Sequence, residues 1–435
     1  QMCIRDSDLA YSLSNGSNGG LSSNYVLPAA TTTASITKAA LTITANHDAR
    51  LIAQGDAFNY NGVSYAGFVN GETQAVLGGT LSVTRTNPAQ NAATTYNGVL
   101  MPSGLTSNNY AITYQTGNYT ILPADQVLVR MNNITQTYGT ALSFMPQSVQ
   151  YLANGSVLTT LTQSSASNNS YVYSDGLGGT IGFTLVPSNP TASTSGTLGV
   201  GTYTITGSGL ATTGTNFTGA AVFVGALTVE KAPLTPSTNQ VTKTYDGSAS
   251  MGTVGVQLAG IVSQSGVQDV VTTTGAGLYG TKNAGTTIGY TVTGLSLTGA
   301  DAGNYYLAGG TTFTGTNGTI TPKAVTLTAG SSSKTYDGTT AIAATANDLA
   351  ALTTQLGVAG DKVDAITLTY ADRNAGVNKT LTPSSVTISD GQGGQNYQIT
   401  YAASASSTIT PKAVTLTPQA ASKTYDASVF YSANA

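Results

Sequence analysis

The sequence is poor in the residues that most enzymes depend on. Its 435 residues include one cysteine, one histidine and no tryptophan. Zinc sites, thiol catalysis and Ser-His-Asp triads each need cysteine or histidine beside specific partners, so these chemistries have almost nothing to work with. His47, the one imidazole, lies between the strand-like "ALTIT" and a turn and reads as a surface residue. Charge is scarce too: 8 % of residues are charged, against roughly a quarter in an ordinary soluble protein. The net charge of −3 offers no basic face for a run of phosphates, which argues against a nucleic-acid partner. No stretch of about 18 apolar residues occurs, so no membrane insertion is expected within the chain.

The residues that are present favour strands. Thr, Val, Ile and Tyr are abundant, with 24 Tyr and 51 Gly, and the hydrophobic fraction is 40 %. Low charge combined with many aromatics is the opposite of a disordered composition. "KAVTLT" alternates, with Val325 and Leu327 on one face and Thr326 and Thr328 on the other, as a half-buried strand does. "YTVTGLSLTG" likewise offers Tyr290, Val292, Leu295 and Leu297 around a Gly break. The expected class is mainly β. One exception is "TANDLAALTTQLG", where Leu349, Leu352 and Leu356 fall at helical spacing after a candidate cap at Asn347.

The chain repeats itself. "TITPKAVTLT" starts at Thr319 and again at Thr408, 89 residues on. Tyr245, Tyr336 and Tyr425 head equivalent motifs, "TYDG", "TYDG" and "TYDA", at intervals of 91 and 89. Asn283 in "KNAG" and Asn374 in "RNAG" each lie 38 residues after the motif tyrosine, and Asn-Tyr pairs follow at Asn304/Tyr305 and Asn396/Tyr397. These landmarks divide the chain into repeats at 38–124, 125–230, 231–322 and 323–411. Residues 8–37 read as the remnant of a preceding repeat and 412–435 as the start of another. The opening "QMCIRDS", residues 1–7, holds Cys3 and resembles a translated sequencing-adapter peptide, so it is expected to be an artefact. A repeat of about 90 residues can fold as a small domain of its own, which suggests beads on a string.

"KTYDG" followed by "NAG", "GADAGNYYL" and "ITPKAVTLT" resembles the YDG-type repeat of large bacterial exoproteins. The first repeat, with "FNYNGVSYAGF" and "SGLTSNNYAITY", resembles the related MBG repeat, and residues 125–230 resemble a longer, divergent member. The resemblance implies small β domains, grasp-like or immunoglobulin-like, in filamentous-haemagglutinin-like or autotransporter-like adhesins. It also implies an extracellular or cell-surface location, a stalk or spacer role without catalysis or cofactor, and glycans or host and matrix proteins as partners. Those domains would themselves be the binding modules in the alternative reading.

The repeated signature comprises Tyr245, Asp246, Gly247, Asn283, Asn304, Tyr305, Tyr336, Asp337, Gly338, Asn374, Asn396, Tyr397, Tyr425 and Asp426. Its expected role is structural: a buried tyrosine, then an Asp-Gly turn opening the first hairpin of each domain. Ala427 stands where Gly247 and Gly338 do, which questions a conformation open to glycine alone. Asp301, Asp361, Asp364 and Asp372 supply oxygen ligands for calcium, but they lack the spacing of a dedicated loop, and the two YDG-type repeats share no evident set of carboxylates. They are expected as solvated turn acids. A crosslink from Lys243 or Lys334 to Asn283 or Asn374 would need a buried acid beside the pair.

Overall fold

The computed structural model describes residues 36–217 and 219–429. The adapter-like heptad, most of the 8–37 remnant and the last six residues lie outside the described residues. The protein is mainly β, with 53 % strand and 4 % helix arranged in many small sheets.

Two parallel pairings recur in each of the four repeats. The first strand after each junction pairs with a late strand of the same repeat: Ala39–Ala45 with Tyr110–Gln115, Val127–Met131 with Ala221–Val224, Ala232–Ser237 with Tyr305–Leu307, and Lys323–Thr328 with Tyr397–Ala402. The next strand pairs with the closing one: Asp48–Leu51 with Gly117–Leu122, Ile134–Thr137 with Ala226–Glu230, Thr242–Thr244 with Phe313–Thr321, and Ser333–Thr335 with Ser404–Thr410. Hairpins supply the antiparallel middle, as where Lys362–Tyr370 meets Gly376–Ser389. This mixed pairing differs from the all-antiparallel ladder of an immunoglobulin sandwich.

The alternation read from the sequence holds. Val325 and Leu327 are buried and Thr326 and Thr328 exposed, while Tyr290, Val292 and Leu295 are buried. The helix also forms, over Ala346–Leu356, with Leu352 and Leu356 buried. Its cap is Thr345 rather than Asn347: Thr345 Oγ1 accepts from the Asp348 amide at 3.2 Å, and the Asp348 carboxylate accepts from the Thr345 amide at 2.8 Å. That reciprocal box satisfies two otherwise unpaired donors, and Asn347 is already inside the first turn.

The Asp-Gly turn does not open a hairpin. Ser333–Thr335 and Ala341–Ile342, the strands on either side of Tyr336-Asp337-Gly338, occupy opposite edges of one five-stranded sheet. The former pairs with Ser404–Thr410 and the latter with Lys362–Tyr370. The sheet curls until its edges come within reach of the Tyr336–Thr340 connection. A hairpin reading fails because the strand before the turn has already given its hydrogen bonds to the closing strand.

The chain packs as two compact units whose limits are not those of the sequence period. One comprises the described residues to Gln240 with Thr253–Gly277 and Val292–Phe313. The other comprises Val241–Gly252, Leu278–Thr291 and the described residues from Thr314. The stretch 231–322 is therefore divided: its acid-bearing and Asn-Tyr segments belong to the first unit, its YDG and NAG segments to the second. In the first unit a continuous apolar cluster runs from Val127, Val129 and Tyr138 to Leu234, Val271 and Tyr305.

Candidate functional site

Three landmarks of the repeat, the motif tyrosine, the NAG loop and the Asn-Tyr pair, are far apart in sequence, and the structure brings them together where one repeat meets the next. In the second unit, Tyr245 of one repeat and Tyr397 of the following one donate to the same oxygen, Asp361 Oδ2, at 2.9 and 2.5 Å. Their rings meet edge to face with centroids 5.5 Å apart, a favoured geometry for aromatic pairs. Beside them Asn396, fully buried, accepts the Ala284 amide on its side-chain oxygen at 2.7 Å and donates to Asn283 Oδ1 at 3.2 Å. Asp390 receives the Asn396 amide at 3.2 Å and the Gln392 and Gly394 amides at 2.8 and 2.9 Å, which shapes the loop that presents Asn396.

The first unit contains the same arrangement built from the preceding pair of repeats. Tyr138 and Tyr305 donate to Asp269 Oδ2 at 2.5 and 2.6 Å, with their rings edge to face at 5.3 Å. The Ser195 amide reaches Asp269 Oδ1 at 3.0 Å. Asn304 accepts the Val200 amide at 3.0 Å, as Asn396 accepts that of Ala284. Burial works to raise the Asp269 carboxyl, but the hydrogen bonds from Tyr138, Tyr305 and Ser195 outweigh it and bring it down to about 2. Burial and the adjacent carboxylate push Tyr305 and Tyr397 far up, so both hydroxyls stay protonated as donors.

Asp364 and Asp372 are exposed, as expected of them, but Asp301 and Asp361 are not solvated turn residues. Asp361 and Asp301 are 4 % and 5 % exposed. Asp361 is held by the two tyrosines, and Asp301 by the Thr194 and Val270 amides at 3.0 and 2.8 Å. A buried carboxylate without such donors would be costly, so the turns cannot leave them to water. Asp364 bonds to Ser389, and Asp372 is paired with Lys379 at 2.6 Å. Among the described residues no group of three or more His, Cys, Asp or Glu is placed to hold a metal. The two YDG-type repeats do share a carboxylate after all: Asp269 and Asp361 follow Tyr245 and Tyr336 by 24 and 25 residues. That register was the available signal.

The YDG turn itself is a local cage. Lys243 Nζ donates to Asp246 Oδ1 at 2.7 Å and to the Ser248 and Ser250 carbonyls at 2.7 and 2.9 Å, while Asp246 Oδ1 also accepts the Ser248 amide at 2.9 Å. Lys334 and Asp337 repeat this with Thr339 and Ala341. Lys423 and Asp426, 2.6 Å apart, form the turn a third time. Gly247 and Gly338 have φ of 81° and 80°, and Ala427 takes 59°. The position is therefore left-handed even where alanine occupies it. The lysines are engaged by aspartates and carbonyls, and Asn283 bonds to Asn396.

The tyrosine that precedes the turn is not uniformly buried. Tyr245 is 1 % exposed, but Tyr336 is 37 % and Tyr425 92 % exposed. Burial of a motif tyrosine follows from an aspartate of the next repeat, not from its own. Asn374 is exposed as well, where Asn283 is half-buried.

The first junction uses other chemistry. Ile52 donates its amide to Leu122 as Tyr138, Tyr245 and Tyr336 do to their closing strands, so it holds the tyrosine position without a hydroxyl. There Arg130 pairs with the buried Asp48 at 2.9 Å; burial pushes that carboxyl up against the pull of the guanidinium. In this repeat Tyr110 donates to Glu72 and accepts the Val69 amide at 3.2 Å, as Tyr305 accepts that of Val262 at 2.9 Å.

The YDG domain model matches residues 230–312 and 321–406. The chain carries a YDG/MBG-type region. The MBG domain (YGX type) model matches residues 41–120. No curated protein matches the chain. Within the matched stretches, Tyr245, Asn283, Asn396 and Tyr397 take part in contacts between successive repeats. His47, the lone imidazole, is exposed and accepts the Asn118 amide on Nδ1 at 2.9 Å.

Proposed function

We propose that the chain is a non-catalytic spacer within a secreted or surface-displayed bacterial adhesin, with tandem β repeats setting the distance between other parts of the molecule. The observation that supports this reading is how the signature is used. Tyr138, Tyr245, Asn304 and Asn396 make hydrogen bonds from repeat to repeat, and Tyr305 and Tyr397 meet Tyr138 and Tyr245 ring to ring across the same junctions. Side chains used in this way serve continuity along the chain rather than chemistry in a cleft. No helix among the described residues is long and apolar enough to cross a membrane.

A second reading, in which the repeats themselves bind glycans or host or matrix proteins, is favoured by one feature. A cavity of about 550 Å³ in the first unit is lined by Tyr65, Phe68, Glu72, Glu230, Lys231 and Tyr306. Aromatic faces beside polar groups suit a sugar ring. The two readings separate by experiment. Antibodies raised against the chain should label intact cells of the source organism, and the full chain should stay silent on arrays of glycans and matrix proteins. Array binding abolished by Tyr306→Ala would replace the spacer with the binding module; labelling confined to lysed cells would remove both.

A further inference from the structure

The last YDG-type repeat displays, uncovered, the face that the repeat before it uses at an occupied junction. Tyr245 and the Asn283-Ala284 loop are covered by Asp361, Tyr397 and Asn396 of the following repeat. Tyr138 and the Gly199-Val200 loop are covered in the same manner by Asp269, Tyr305 and Asn304. Tyr336 and Asn374 hold the equivalent positions, yet Tyr336 is 37 % exposed and Asn374 is exposed. The frame beneath them is already built. The Lys334–Asp337 cage matches the Lys243–Asp246 cage to within 0.1 Å in its ion pair, 2.8 against 2.7 Å. The Tyr336 amide is bonded to Thr410 at 2.8 Å, as that of Tyr245 is to Thr321 at 2.8 Å.

We propose that the face formed by Tyr336 and the Asn374-Ala375 loop is a docking surface for a further YDG-type repeat. The partner's chemistry is specified by the two occupied copies: a carboxylate already bound to one tyrosine hydroxyl with its oxygen open to a second, and an asparagine carboxamide beside it. Tyr336 Oη donates to the carboxylate, and the carboxamide oxygen accepts an amide of the NAG loop. A hydrogen bond to a charged acceptor, made as the ring is buried, belongs to the stronger class. The inference rests on the geometry of the junctions and stands or falls apart from the adhesin reading.

The test inserts a second copy of residues 323–411 directly after residue 411 of the full chain, which supplies a new counterpart of Asp361, Asn396 and Tyr397 to the waiting face. Hydrogen exchange is compared between the original and extended chains. Amides at 336–340 and 374–376 should slow by about tenfold or more on extension. Tyr336→Phe should leave the melting temperature of the original chain unchanged and lower that of the extended chain about as much as Tyr245→Phe does in either. Unchanged exchange in the unsubstituted extended chain overturns the proposal whether or not the variants fold. So does a Tyr336→Phe that is silent in both chains. Protection of the same amides by added glycans, without protection on extension, would assign the face to a sugar instead.

Discussion

Tyr245 and Tyr336 begin the same three-letter turn, yet one is sealed in a junction and the other stands partly in solvent. Around both, the lysine, the aspartate and the left-handed glycine are arranged alike. The third copy shows how local that arrangement is: Lys423 and Asp426 form their ion pair in a stretch that contains no strand. What differs is remote. Tyr245 finds its acceptor 116 residues away and Tyr138 finds its own 131 residues away. The turn is encoded by neighbours in the chain and the burial by the next repeat, so one motif carries two kinds of information.

The sharpest way to break the comparison is to remove the acceptor. Asp361→Ala leaves the Tyr245 and Tyr397 hydroxyls buried without a partner and should destabilise the second unit by about 3 kcal/mol in equilibrium denaturation. Asp372→Ala, which deletes an exposed partner of Lys379, should stay within about 0.5 kcal/mol. Equal losses from the two would mean that burial of the shared carboxylate contributes nothing special.

A smaller effect is expected from acid. Because the Asp269 carboxyl is held down at about 2 in the folded chain and returns to about 3.9 when unfolded, its contribution is present in full above pH ~4. It is lost as pH falls from there through about 2. Asp269→Asn should therefore flatten the acid limb of the first unit's stability curve, followed by circular dichroism between pH 5 and pH 2. An unaltered limb would place the pH dependence elsewhere.

The least effect concerns the turn. Gly338→Ala puts a Cβ at a φ of 80° and should cost about 1 kcal/mol, with no change at the Tyr245 junction. Since Ala427 already tolerates 59°, a loss much above that would show that the Gly338 turn is tighter than its copy.

Much of this is legible in the sequence. Alternation in "KAVTLT" identified a half-buried strand because a pleated strand has a period of two, and the leucine spacing at 349, 352 and 356 gave the helix. The 89- and 91-residue intervals gave the landmarks. The hairpin expectation, by contrast, fails, because Asp-Gly specifies a turn but not which strands flank it, and Ser333–Thr335 pairs with residues more than 70 positions later. Asp301 and Asp361 depart from the expected solvated turns for a related reason. An aspartate in a polar loop looks solvated until its donors are known, and those of Asp361 come from two different repeats. Asn374 and Tyr336 were read as equals of Asn283 and Tyr245, which they are in sequence and in backbone, but not in what covers them.

The parallel pairing of the second and the closing strand has a mechanical meaning. In Ser333–Thr335 and Ser404–Thr410 the incoming and outgoing ends of a repeat lie side by side and run the same way. Tension applied along the chain therefore slides one strand past the other and loads their hydrogen bonds together, whereas an antiparallel hairpin would be peeled one bond at a time. Each repeat meets a pull in shear between its second and closing strands.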